Sequence, residues 1–187
     1  MKTTIFAAAT AAAALIGSAA VSQDNPMVGG APMMADMTIV ENASQAPNLT
    51  TLVSAVQAAE LVETLSGEGP FTVFAPTNAA FDMIADESLQ TLLAPENQAA
   101  LQQVLTCHVV GAEAFSTAIA GMIADDGGVH PIETVGGCTM EAYMEGGMIM
   151  LRDPNGRVAT VTTADVDQSN GVVHVIDRVL LPAGYAG

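Results

Sequence analysis

The chain has 187 residues, 20 acidic side chains against 4 basic ones for a net charge of −16, an apolar half and two cysteines. That length suits one domain with a real core. The charge excludes nucleic acid and anionic lipid as partners, because phosphate surfaces demand clustered Arg and Lys.

Residues 1–22 read as a secretory signal peptide: Lys2, an Ala-rich apolar run from Ile5 to Ile16, then Ser18, Ala19, Ala20 and Ser22, with cleavage after Ala20 or Ser22. The run is shorter than the roughly 20 apolar residues of a spanning helix. With no twin-Arg pair and no Cys at the cleavage site, the expected product is periplasmic or secreted, without membrane insertion or a lipid anchor. Loss of Lys2 leaves Arg152, Arg157 and Arg178 as the remaining cations, and a solvated acidic surface is the simplest reading of the charge.

Residues 23–35, with Pro26, Gly29, Gly30 and Pro32, read as an extended arm or linker, and the fold is expected to begin near Asp36. Asn48 precedes Leu49, Leu52, Val53 and Val56 at helical spacing; the phase slips at Glu60, which predicts a second short helix through Leu65. Phe71 to Pro76 predicts a strand, followed by Thr77 and Asn78 as helix-capping residues. Three short helical pieces follow at 79–85, 89–93 and 98–105, then a strand at Thr106 to Val110. Phe115, Ile119, Met122 and Ile123 mark a helix stopped by Asp125-Asp-Gly-Gly128.

The period then changes to two. Met140, Ala142 and Met144 alternate with Thr139, Glu141 and Tyr143, Glu145-Gly-Gly147 turns the chain, and Met148 and Met150 resume, predicting a hairpin with methionines on its buried face. Asp153-Pro-Asn-Gly156 turns into a strand at Val158 to Thr162, and the apolar run from Gly171 to Pro182 predicts a last strand buried on both faces. Early helices and late strands define an α+β class.

Two of these segments, Phe71-Thr-Val-Phe-Ala-Pro-Thr-Asn-Ala-Ala-Phe81 and Gly171-Val-Val-His-Val-Ile-Asp-Arg-Val-Leu-Leu-Pro182, resemble the signature segments of the fasciclin (FAS1) domain. Asn25 to Gly30, Thr38 to Ala43, Leu92 to Asn97 and Val104 to Val110 extend the resemblance to small, secreted, single-domain bacterial members. It implies a β-sandwich wedge flanked by short α-helices over residues 36–183, with 184–187 as a tail. It also implies non-catalytic adhesion to a cell-surface or matrix protein or polysaccharide, leaves homophilic association open, and implies no cofactor. The family carries a Tyr-His pair linked to adhesion where this chain has Cys107 and His108, so only His108 matches. Val175, Ile176, Asp177 and Arg178 are the other binding positions that the resemblance implies, with Asp177 and Arg178 expected at the surface.

Other chemistry competes with these readings. Cys107 and Cys138, an even count in an exported chain, predict a disulfide. A thiol beside His108 is the competing reading, disfavoured because neighbours on a strand point to opposite faces. Met33, Met34 and Met37 define an alternative in which soft thioethers, with the histidines, hold copper in a periplasmic metal or redox protein. Asp165-Val-Asp-Gln-Ser-Asn-Gly171 has oxygen ligands at alternate positions like a calcium loop, but its glycine falls one place late and Ile176 stands where a bidentate Glu is needed, and the turn of Asp and Asn before the last strand that the fasciclin resemblance implies is preferred.

Overall fold

In the computed structural model, which describes residues 25–185, the chain opens on a hairpin of β1 (Met27–Val28) and β2 (Ala31–Pro32). The leader expected over 1–22 lies outside the described residues. Residues 25–35, expected as an extended arm, are folded onto the domain: Val28 and Met33 are buried in the main core, and the Met33 amide donates to the Pro26 carbonyl at 2.9 Å. The Gly and Pro content that suggested a linker instead makes a tight turn. Gly29 has φ 61°, and a Cβ there would collide with the Asn48 side chain. Buried Asn42 holds the hairpin from inside, donating to Met34 O at 2.7 Å and to Gln168 Oε1, and accepting from the Met34 amide.

Helices α1 (Ile39–Gln45), α2 (Thr50–Ala58) and α3 (Val62–Leu65) follow, α1 opened by a capping box between Thr38 and Glu41. The break between α2 and α3 falls at Glu60, in a left-handed conformation with φ 57°. After β3 (Phe71–Pro76), Thr77 caps α4 (Asn78–Phe81) by accepting from the Ala80 amide. Asn48, which precedes α2 in sequence, makes no cap hydrogen bond to it. The acceptor comes from Asn78 instead: Oδ1 receives the Thr51 amide at 3.0 Å, and Nδ2 donates to Thr50 Oγ1 and Pro47 O. An Asn78→Ala variant should therefore lose about 1 to 2 kcal/mol of stability, while Asn48→Ala should lose less than half of that in the same urea titration. The reverse ranking would reject this assignment of the cap.

Next come α5 (Asp86–Leu93), a 3-10 turn at Pro95–Asn97, α6 (Gln98–Thr106), β4 (Val109–Val110) and α7 (Ser116–Asp125), the last closed by Gly127 and Gly128 at positive φ. The strand expected over Thr106 to Val110 is thus reduced to two residues. Thr106 ends α6, Cys107 caps it, and the His108 amide donates to Leu105 O, so helical bonding continues where β-branched composition suggested a strand.

The remaining strands are β5 (Val129–Glu133), β6 (Thr139–Glu145), β7 (Met148–Arg152), β8 (Val158–Gln168) and β9 (Gly171–Ile176). β5 was not foreseen, since Pro131 interrupts its pattern and of its five residues Ile132 alone is buried; such a residue is tolerated on an edge strand. Seven strands form one sheet in the order β4-β3-β9-β8-β7-β6-β5. β3 and β9 run parallel from Phe71↔Gly171 to Pro76↔Ile176, and all six β9 residues are buried. Val73, Ala75, Val173 and Val175 meet the helices in one core, whereas Phe74 and Ile176 face a second core with Met140, Leu151 and α7 residues Ile119 and Ile123. β8 carries the bend: its first residues pair with β7, the rest with β9, and its register shifts twice between Val161 and Val166.

The curl brings the two sheet edges together. The Val135 amide just after β5 donates to Val109 O on β4 at 2.8 Å, the Gly136 amide donates to Thr106 O, and Cys107 is bonded to Cys138 across this seam with a Cα–Cα distance of 5.3 Å. The result is an α+β wedge, close to a barrel, flanked by short helices.

The β6–β7 hairpin differs from its sequence reading. Its two-residue turn, Gly146-Gly147, pairs Met144 with Ile149 and Ala142 with Leu151, so even positions on β6 share a face with odd positions on β7. Met140 and Ala142 are buried as expected, but Ile149 and Leu151 replace Met148 and Met150 on the core side.

Candidate functional site

The residues singled out around His108 converge on the last segment of the chain. His108 is 2% exposed; its Nδ1–H donates to Val104 O at 2.8 Å, and its Nε2 accepts the Leu180 amide at 2.9 Å. Both nitrogens are thereby committed in the neutral form. Burial pushes its pKa down to about 4, opposed by the Val104 carbonyl and by Asp153 and aided by Arg157. From the ordinary value of 6.5 down to about 4 the unfolded ring binds a proton that the folded ring does not. The stabilisation from neutral His108 is therefore complete above pH 6.5 and lost as pH falls through that window, on the order of 3 kcal/mol at about 1.4 kcal/mol per pH unit. Urea titrations at several pH values should show this slope, and a His108→Gln variant should show a shallower one; equal slopes would reject the assignment.

Val175 and Ile176, implied as binding residues, are buried on opposite faces of β9. Asp177 and Arg178, expected as exposed, are half-buried. Asp177 Oδ1 accepts the Thr160 amide at 2.7 Å and its own amide donates to Thr160 O, which extends the β8–β9 ladder past its last regular pair. His108, Val175, Ile176 and Asp177 thus serve the architecture through most of their atoms.

Beyond Arg178 the chain is fastened by residues that the sequence reading saw only as a turn. Asp153 is buried, with Oδ1 accepting the Asn155 and Arg157 amides and Oδ2 accepting Arg157 Nε at 3.0 Å and the Leu181 amide at 3.1 Å. Asn155 Nδ2 donates to Leu181 O and Pro182 O. The Asp-Pro-Asn-Gly signal locates the turn, but nothing local announces that its side chains bind a segment 26 residues away.

A second polar group clamps the loop before α7. The Thr72 hydroxyl donates to Ala112 O at 2.6 Å and accepts the Ala114 amide; His174 Nε2–H donates to Ala114 O at 2.8 Å; Asp165, at φ 57°, accepts the Ser116 amide at 2.6 Å and the Ser116 hydroxyl. His174 Nδ1 accepts the Asp165 amide, its ring stacks on Phe74, and burial lowers its pKa. The calcium-like segment spreads its side chains among separate partners: Asp165 to Ser116, Gln168 to Asn42, and Asn170 to Ile39, Leu65 and Gly67. The candidate thioethers are likewise separated in role, with Met33 in the core and Met34 and Met37 sulfurs accepting from Asn25 and Gln45 side-chain amides. Among the described residues, no three His, Cys, Asp or Glu side chains are grouped to hold a metal.

Exposed apolar side chains include Phe115 on the clamped loop and Met144 and Met148 at the hairpin tip, besides Met27, Met83, Val129 and Val135 elsewhere. An open groove of about 310 Å³ lies between the start of α7 and that tip.

Comparison with known proteins accounts for this architecture. A family model described as Fasciclin domain matches residues 47–182. Protein sll1483 of Synechocystis is 41% identical over 124 residues, 66% of this chain and 61% of that protein, and transforming growth factor-beta-induced protein ig-h3 of Sus scrofa is 35% identical over 119 residues, 63% and 15% respectively. The chain therefore spans less than two thirds of the length of either relative. A FAS1 domain pair from the insect cell adhesion molecule fasciclin I has the same fold, with a TM-score of 0.68 at 18% identity over 78% of this chain and 51% of that one.

Proposed function

The chain belongs to the fasciclin domain family, and on that premise we propose that the protein is exported and acts by adhesion or recognition, binding a surface or matrix protein or a polysaccharide without catalysis. The observation that carries this reading is the family match over 47–182, which takes in both signature segments. The fold neighbour is part of an insect cell adhesion molecule, which supports the same role. Burial of His108, Val175 and Ile176 favours a contact made by other side chains, and half-buried Arg178 is the one of the implied positions taken as a test.

Export fits the apolar leader, and no helix among the described residues is long and apolar enough to cross a membrane. The test is capture of surface and matrix fractions of the source organism by the oxidised protein, with Arg178→Ala in parallel. Specific capture of a protein or polysaccharide is the expected result; an absence of capture from every fraction would overturn the proposal.

A further inference from the structure

The hairpin row Met140, Ala142, Met144 runs along the second core, yet only its first two members are covered; Met144 is 41% exposed and Met148, across the tip, 50% exposed. Between them and α7 lies the groove of about 310 Å³, lined by Thr117, Ala120, Met144, Met148, Ile149 and Val161 among others. It is an open continuation of the core, and its walls include thioethers that adapt to different shapes. Its α7 end is preformed, because Thr72, His174 and Asp165 hold residues 112–116 from inside, which lowers the ordering cost of any complex.

Charge selects the occupant. The side chains that line the groove are uncharged, so its field is that of the surrounding chain, with 20 acidic residues against 4 basic ones and with Glu145 next to the hairpin tip. The described residues contain no lysine; Arg152 and Arg157 are paired with Glu141 and Asp153, and the third arginine, Arg178, is not in the groove's lining. A second copy of this chain would bring the same negative field, whereas Lys or Arg flanking an apolar side chain would meet complementary charge.

We infer that the groove between α7 and the β6–β7 tip is a docking site for an apolar side chain presented on a basic segment of a partner protein. The inference rests on the adhesion reading for the existence of a partner and adds its class and its place.

The test uses the purified protein labelled at methionine methyl carbons and titrated with the peptide Lys-Lys-Leu-Lys-Lys, with Lys-Lys-Ser-Lys-Lys and Glu-Glu-Leu-Glu-Glu as controls. The expected result is saturable shifts at Met144 and Met148 with the first peptide alone, none at Met27 and Met83, which are 57% and 60% exposed, and at least tenfold weaker binding in Ala120→Lys, which fills the groove and repels the basic flanks. Equal shifts at all four methionines, equal binding of the serine peptide, or no shift would overturn it. Met144 and Met148 signals that move with protein concentration alone would assign the groove to a second copy and also overturn it. Capture of surface fractions separates the two claims: equal capture by the wild type and Ala120→Lys keeps adhesion and rejects the groove. The peptide signature without any capture keeps the groove and rejects adhesion.

Discussion

Replacing Asp153 with alanine is expected to lower the unfolding free energy by about 3 to 5 kcal/mol, the largest effect of any single substitution considered. The carboxylate has no exposed surface and accepts four hydrogen bonds, one of them from the Arg157 guanidinium and one from the buried Leu181 amide. Alanine leaves Leu181 N–H without an acceptor and a half-buried guanidinium without its counter-charge, and the cost of groups left unpaired exceeds the net worth of the bonds themselves. Asparagine keeps the shape but only one acceptor oxygen, and should recover less than half of the loss. Guanidinium unfolding curves measure both, and amide exchange at Leu181 should accelerate in parallel. A shift below 1 kcal/mol with the Leu181 amide still protected would show that the C-terminal segment is held by its apolar contacts alone.

The double variant Cys107→Ala, Cys138→Ala is expected to lose about 3 to 4 kcal/mol, the chain-entropy value for freeing a loop of this length. The bond spans a sequence separation of 31 and lies where β4 meets the end of β5, so the same change frees the unfolded chain and unlocks the sheet seam. At roughly 2 to 4 °C per kcal/mol for a domain of this size, the melting temperature should fall by about 10 °C. Exchange at the Val135 and Gly136 amides, which bond to Val109 and Thr106, should rise more than exchange in β9. Equal melting temperatures for the two proteins would show that the hydrogen bonds of the seam suffice without the covalent link.

These two predictions rest on features of different legibility. The cysteine pair could be proposed from count and compartment, but its position at the meeting of two sheet edges depends on the order of seven strands. Asp153 stands in a turn motif that any reading finds, while its partner Leu181 becomes visible only when the chain end is laid beside the turn. Asn78 is similar: its capping chemistry was evident, and it does begin a helix, yet its side chain caps α2.

What the sequence by itself determined are the features carried by local period and punctuation. The strand at Phe71, the helix at Asn78 with its Thr77 cap, the break at Glu60, the α7 stop at Gly127 and the doubly buried last strand all follow from residues within a few positions of each other. Together with the two spaced segments they are enough for the α+β class and the family. Only the tertiary structure decided which face of β7 is buried, because a two-residue turn inverts parity between paired strands. It also decided that the Gly- and Pro-rich start packs on the core, that His108 lies in a helix-end turn bonded to Leu180, and that the groove at the hairpin tip stays open. Each of these depends on which distant segment arrives to supply a partner, and the chain's local periodicity carries no record of that.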